Sequence, residues 1–371
     1  MIRLSKSVVG KKESLAVSKV INNIGYLGMG SVVKEFENKI EEFLEIDNGT
    51  CCCVNTGTSA LHLAVQSITN IGDHVLVPSF TYVATYQAIT AAGCIPISCD
   101  INENSLLIDL EDVKRRITSK CTALIYVHYA SNVGDLNKLY SFCKNNKLRL
   151  IEDAAHSFGC SYKNKKIGSF GDITCFSFDG IKNITSGEGG ALISKDKNVI
   201  SYVNDARLLG VVKDTEKRYE GKRSWDFDVV NQGYRFHMSN IFAAIGIVQL
   251  ERFKNEFAIK RKLLRELYYK QLSHIDDIVF QDIGNDSDMI PHIMPVRILN
   301  NKRDKIFKLL DDEEIGVGLH YKPNHFLSMF KSNYSLPITE KIYEEIISLP
   351  LHPEVTEDQV NFITKIITKN L

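Results

Sequence analysis

From Cys51 to Glu152, short apolar runs keep giving way to stretches with helical spacing. Cys51–Val54, His74–Val77, Cys94–Cys99, Cys121–Val127 and Leu148–Glu152 predict strands. Ser59–Ser67, Val83–Ala92, Leu110–Ile117 and Leu136–Asn145 predict the helices between them. In the first of these helices Leu61, Leu63 and Ala64 mark the buried side. Strand after helix after strand implies a largely parallel sheet covered by helices, an α/β fold. Ile173–Ser177 and Ala191–Ser194 follow without a full helix between them, which predicts an antiparallel or irregular part of the sheet.

A long helical pattern then runs over 238–272, with Ile241, Ala244, Ile245 and Val248 at helical spacing. Its charged stretch, Glu251 to Arg265, reads as a solvated continuation into a second domain. The chain divides accordingly into a large domain over 1–254 and a small α+β domain over 255–371. In the small domain Ile293–Ile298 predicts a strand, and Arg303–Leu310 and Tyr343–Ser348 predict helices. With 371 residues, 44% of them hydrophobic, there is material for two cores. Asp311–Glu314 and Lys163–Lys166 read as solvated turns.

Forty-five basic residues balance forty-five acidic ones. A zero sum argues against a protein built around nucleic acid or an anionic membrane. The start, with Lys6, Lys11 and Lys12, lacks the apolar segment of a signal peptide, and no apolar run is long enough to span a bilayer. A cytoplasmic location is expected. Nine cysteines include no C-x-x-C pair, and three are consecutive, Cys51, Cys52 and Cys53. Alternating side chains on a strand cannot all face one metal, so reduced thiols and no metal site are expected.

Gly28-Met29-Gly30-Ser31-Val32-Val33 has Val33 where a dinucleotide fingerprint needs its third glycine, and it precedes the first βαβ unit. No P-loop, H-E-x-x-H pair or G-x-S-x-G elbow occurs. Three polar strings at strand ends remain. Asn55-Thr56-Gly57-Thr58-Ser59-Ala60 turns from a strand into a helix. Gly57 permits the tight turn, free N–H groups and the helix dipole suit an anion, and Thr58 and Ser59 add hydroxyls; the string also suits an ordinary N-cap. Glu152-Asp153-Ala154-Ala155-His156-Ser157 puts an acidic pair at the carboxyl end of a strand, where open α/β sheets bind ligands. Either Asp153 or His156 alone also suits a structural role.

The third string, Cys175 to Gly190, is the most informative. Lys182 sits in it among apolar and glycine-rich residues between two strands, and a desolvated lysine has the lowered pKa that a Schiff-base amine requires. Gly187, Gly189 and Gly190 allow close approach to a flat ligand. A phosphate turn, an acid at a strand end and a lysine together suggest pyridoxal 5'-phosphate. The carboxylate would keep the ring nitrogen protonated, and the lysine would carry the aldehyde and shuttle protons.

Here the chain resembles the DegT/DnrJ/EryC1/StrS sugar aminotransferases, fold type I pyridoxal-phosphate enzymes, over nearly its whole length. The resemblance rests on Gly25–Gly30, Gly57–Ala64, Val77–Thr85, Glu152–Ser157, the Lys182 segment, Gly233–Asn240 and Leu349–Pro353. It implies a large mixed, mostly parallel sheet between helices plus the small domain. It further implies Lys182 as the Schiff-base residue and Asp153 on the ring nitrogen, both catalytic. His156 would lie near the ring hydroxyl, Tyr82 on the ring face, and Gly57, Thr58, Ser59 and Ser177 on the phosphate. Segment 233–240 would reach into the partner's site in a homodimer. Many relatives have Asn where this chain has Arg235, and Arg where it has His237. Arg235 would replace the amide as a phosphate ligand, unless His237 is the residue that reaches the cofactor.

Lys182 distinguishes the chain from related dehydratases, which carry a histidine there. Ser186-Gly187-Glu188-Gly189-Gly190 resembles members acting at carbon 4 of the sugar. The expected reaction moves the amino group of L-glutamate, through pyridoxamine phosphate, to a nucleotide-linked 4-keto-6-deoxyhexose for O-antigen or other glycoconjugates. dTDP-4-amino-4,6-dideoxyglucose is the first choice of product, and GDP-perosamine or a 3-amino sugar the alternatives. Tyr26, Leu27, Glu188, His320, Tyr321 and Lys322 are the expected substrate contacts. A non-catalytic regulatory protein on the same fold is the competing class.

Overall fold

The computed structural model describes residues 1–371. Its main sheet has seven strands: β1 (Cys51–Val54), β2 (His74–Pro78), β3 (Ile95–Cys99), β4 (Cys121–Val127), β5 (Arg149–Asp153), β6 (Ile173–Ser177) and β7 (Gly190–Ser194). Their order is β1-β7-β6-β5-β4-β2-β3. β7 runs antiparallel to both β1 and β6, and every other neighbouring pair is parallel. The missing helix between β6 and β7 is what permits the reversal. The connection need not cross over the sheet.

Capping side chains start the helices at the sheet's edges. Thr56 Oγ1 accepts from the Ser59 amide, and Asp109, Asp135, Asp196 and Ser239 cap four further helices in the same way. Both faces of the sheet are buried. Cys51, Cys53, Leu124 and Tyr126 enter one core; Cys52, Val54, Ala123, Ile125 and Val127 enter the other. The cysteine triplet therefore serves both cores by strand alternation, and all nine cysteines are free thiols.

A third core lies between Leu264 and Ile367, around the strands Ile278–Val279, Met294–Ile298 and Ile346–Leu349. The long helical pattern is interrupted. Ser239 caps Asn240–Arg252, a π-turn occupies Phe253–Phe257, and Ala258–Leu272 continues. The expected domain boundary at 254 falls inside that π-turn. Two expectations need correction. Tyr343–Ser348 is not a helix: Pro337–Glu345 is helical and Ile346–Leu349 pairs antiparallel with Met294–Arg297. An apolar run of four residues fits either period, and the sheet edge decides it. Nor is the Glu251–Arg265 stretch wholly solvated. Arg261 is buried and donates to the carbonyls of Pro291, His292 and Leu351.

One buried ion pair ties β1 to its surroundings. Glu37 Oε1 accepts from the Cys53 amide at 2.8 Å and from Arg207 Nη1 at 2.6 Å, while Arg207 also donates to the Cys53 carbonyl and to Tyr219 Oη. Both partners are excluded from solvent. Removing one charge from such a pair strands the other. Glu37→Gln is expected to lower the unfolding free energy by about 3–5 kcal/mol, read by denaturant titration. A loss below about 1 kcal/mol would mean the pair behaves as a surface bridge.

Candidate active site

The carboxyl ends of β1 and β6 meet the start of β7. Register places Val54 and Ser177 on either side of Gly190. There is no room there for a side chain. A Cβ on Gly190 would lie 2.5 Å from the Thr56 carbonyl oxygen, and one on Gly57 would lie 2.7 Å from Ser177 Cβ. The helix Gly57–Ile68 starts at this crossing, so the Gly57 and Thr58 N–H groups have no partner within the helix, while Thr56 Oγ1 takes that of Ser59.

Beyond the turn lies a cavity of about 360 Å³ lined by Gly57, Thr58, Tyr82, Asp153, Ser177 and Lys182, among others. Asp153 ends β5. Its carboxylate accepts from Thr85 Oγ1 at 2.8 Å and from the Ala155 amide at 3.3 Å. Burial raises its pKa, the hydrogen bonds and the Lys182 charge opposing this. Such a carboxylate is short of a cation. Burial lowers the Lys182 amine to about 8, with Asp153 and Asp179 acting in the other direction. Near neutral pH a useful fraction of this amine is an unprotonated nucleophile.

His156 is buried one turn past β5. Its Nδ1 accepts from the Ala130 amide at 3.3 Å, and its Nε2 lies 3.0 Å from Tyr321 Oη. Tyr321 and His320 come from the small-domain side, on a loop that Asn324 fastens to the end of β2. Asn324 Nδ2 donates to the Ser79 and Thr81 carbonyls at 3.1 and 2.7 Å. His320 Nδ1 pairs with Ser348 Oγ, and burial lowers its pKa to about 4. Tyr82, 59% exposed, faces Tyr321 with ring centroids 5.7 Å apart. Glu188 is at the rim, its pKa raised by burial and by Asp179.

Five expected contacts lie outside this cavity in the single chain. The Ser59 hydroxyl is turned back to Asn55 Oδ1 at 2.7 Å, completing the N-cap network. Tyr26 packs by Gly28 and Gly30, and Leu27 is on the surface. Lys322 points to solvent. Arg235 pairs with Leu208 and turns its carbonyl to Asn55. Glu152, the other half of the acidic pair, faces away and is held by His128 and Tyr140. Thr85 and Asp179 are additions that sequence reading missed. Thr85 closes the Val77–Thr85 segment and Asp179 lies inside the Cys175–Gly190 string, but nothing local shows that their side chains face the cavity.

Comparison with known proteins decides the family. The DegT/DnrJ/EryC1/StrS aminotransferase family matches residues 8–368. The chain belongs to this family. Among its relatives, the GDP-perosamine synthase of Vibrio cholerae is 34% identical over 91% of this chain and 90% of its own. The dTDP-4-dehydro-2,3,6-trideoxy-D-glucose 4-aminotransferase of Saccharopolyspora spinosa is 28% identical over 98% and 95%. A putative sugar aminotransferase of Streptococcus pneumoniae, solved in a PLP form, superposes with a TM-score of 0.89, at 25% identity over 100% and 99% of the chains. Its PMP form gives 0.90. This chain is a PLP-dependent nucleotide-sugar aminotransferase with the expected α/β architecture.

The aminotransferase's own residues fit the cofactor. A cradle that a single Cβ would fill suits a phosphate, a cation-deficient buried carboxylate suits a protonated ring nitrogen, and a desolvated amine suits an aldehyde. Acylation of Lys182 in cofactor-free protein, followed by peptide mass spectrometry, should rise with a midpoint near pH 8. A midpoint near 10.5, the ordinary lysine value, would contradict the desolvation described. Gly190→Ala should weaken cofactor binding at least about tenfold by forcing the cradle apart, as a fluorescence titration would read.

Proposed function

We propose that this aminotransferase transfers the amino group of L-glutamate to carbon 4 of a nucleotide-linked 4-keto-6-deoxyhexose, with dTDP-4-keto-6-deoxyglucose the first candidate. The observation that carries the reading is the cavity itself, where the Lys182 amine, the Asp153 carboxylate and a phosphate cradle share one space. The Ser186–Gly190 string and a relative named as a 4-aminotransferase favour carbon 4. The 34% identity to a GDP-perosamine synthase favours GDP as the second choice of nucleotide. A 3-aminotransferase would use the same three groups at a neighbouring sugar carbon, and a regulatory protein would hold the cofactor without turnover. A role in O-antigen or other glycoconjugate synthesis in the cytoplasm is consistent with such a substrate.

When bound, the cofactor supplies an electron sink. Asp153 would hold the proton on its ring nitrogen, and Thr85 and the Ala155 amide keep that carboxylate in place. Gly57, Thr58 and Ser177 would hold the phosphate, and Tyr82 would cover the ring face. Lys182 Nζ would take the proton from the glutamate α-carbon, and in the second half-reaction would give a proton to carbon 4 of the sugar. Glutamate would give up its amino group and gain a keto oxygen, leaving as 2-oxoglutarate, while the ketosugar would give up its keto oxygen and gain the amino group. Glu188 and His320 are placed at the rim to receive sugar hydroxyls.

The functional unit we propose is a homodimer. Leu209, Trp225, Phe227, Val229 and Val230 are exposed apolar side chains from segments that close on one another through Val211 and Val229. Arg235 lies just past them, outside its own chain's cavity, where a second copy would use it. Trp225 is the only tryptophan and is 86% exposed. Its emission should shift to the blue as concentration rises through the dimerisation range, and an emission independent of concentration in a sedimenting monomer would count against the dimer. Lys182→Ala should abolish both the cofactor's visible band and amino transfer. Product NMR should place the new amine at carbon 4, and an amine at carbon 3 would overturn that assignment.

A further inference from the structure

Ala130 and Ser131 both have left-handed backbone, with φ of 52° and 70°. Neither is glycine, and each such residue costs about 1 kcal/mol. What the strained pair does is hold one imidazole. The Ala130 amide donates to His156 Nδ1, and Ser131 Oγ donates to the His156 carbonyl while accepting from the His292 amide at 3.0 Å. His156 is thus gripped at its ring and at its backbone.

The grip has a consequence for protons. A nitrogen that accepts an amide N–H carries no hydrogen of its own, so a neutral His156 bears its proton on Nε2. Burial and the Lys182 charge keep the ring neutral. The Nε2–H then points at Tyr321 Oη, 3.0 Å away, and Tyr321 must accept. Its own hydroxyl proton is left over. Tyr321 has no other hydrogen-bond partner in the chain, and burial raises its pKa far above neutrality, so the proton stays on the oxygen.

We propose that the Ala130–Ser131 pair and His156 are positioning groups that make Tyr321 a hydrogen-bond donor to an oxygen of the bound sugar, a carbonyl or hydroxyl group. This rests on the nucleotide-sugar reading of the same cavity. The sugar is favoured over the cofactor by where the groups come from. The phosphate cradle, Asp153 and Lys182 project from the large sheet, whereas Tyr321 arrives on the opposite loop, fastened by Asn324. A ligand entering between the two sides meets Tyr321 with its outer portion. A phosphate would be a poor match, since no cation stands beside the phenol.

The test compares cofactor-loaded wild type with Tyr321→Phe, a change that removes the hydroxyl and keeps the ring. Calorimetry would measure dTDP against dTDP-glucose, and GDP against GDP-mannose. Tyr321→Phe should weaken the sugar nucleotide that wild type binds by about 3- to 10-fold and leave the matching nucleoside diphosphate unchanged. The pH midpoint of the cofactor band should not move. In wild type, ¹⁵N spectra of labelled histidine should show His156 unprotonated at Nδ1 and protonated at Nε2. Equal weakening of both ligands, no weakening, or a shifted band midpoint would overturn the Tyr321 assignment alone. A His156 proton on Nδ1 would overturn the positioning chain. If wild type binds none of the four ligands, the nucleotide-sugar reading beneath the proposal fails with it.

Discussion

At the crossing of β1, β6 and β7, backbone meets backbone with no space between. Gly190 could not carry a methyl group without meeting the Thr56 carbonyl, nor Gly57 without meeting Ser177. Everything on the phosphate side of the site depends on that closeness. It requires β7 to run antiparallel between its neighbours, so that its first residue rather than its last stands at the carboxyl end of the sheet. The reversal in turn requires the short Phe178–Gly189 connection. That connection is then free of a crossover helix and can carry Lys182 back over the sheet end. One steric condition thereby places both the anion cradle and the reactive amine.

The rest of the site is arranged by charge. Asp153 and Lys182 are each desolvated, and burial drives both toward neutrality, the carboxylate upward and the amine downward. Their mutual attraction opposes this without cancelling it. An amine poised near pH 8 and a carboxylate lacking a full counter-charge are suited to exchanging one partner for another, because neither is locked in a saturated ion pair. Glu37 and Arg207 show the contrast. They are equally buried but are hydrogen-bonded on several sides, and they hold β1 in place.

Strands and helices around the main sheet were legible because a parallel strand buried on both faces is a short apolar run that turn residues delimit. Lys182, Asp153 and Gly57 were marked for a related reason: each sits in a local string that ends or follows a strand, and the fold brings all three to one cavity. Thr85 closes the Val77–Thr85 segment and Asn324 lies in no marked string, and in neither case does the local sequence name the partner. Thr85 reaches Asp153 across 68 residues and Asn324 reaches Ser79 across 245, contacts that only the topology creates. Ser59 is placed differently. Its type and position were right for a phosphate ligand, but an equally good acceptor, Asn55, was four residues away and took the proton. Tyr343–Ser348 and Arg261 mark the limits of periodicity. A four-residue apolar run does not declare its period, and a charged helix face conceals an arginine whose partners are distant carbonyls.

The cavity's charge balance supports the proposal that a second copy completes the site. Asp153, Asp179 and Glu188 line it against a single amine. His156 and His320 add no positive charge near neutral pH, since burial lowers both. A phosphorylated cofactor and a nucleoside diphosphate would bring several more negative charges into that space. Amide dipoles at a helix start offset only part of such a load, about half a unit charge. The remainder calls for a cation, and within one chain Arg235 and Lys322 are turned outward. The exposed apolar side chains just before Arg235 answer the same need from another direction. Covering them with a second copy would bury Trp225 and Phe227 and bring a guanidinium to a phosphate in one association.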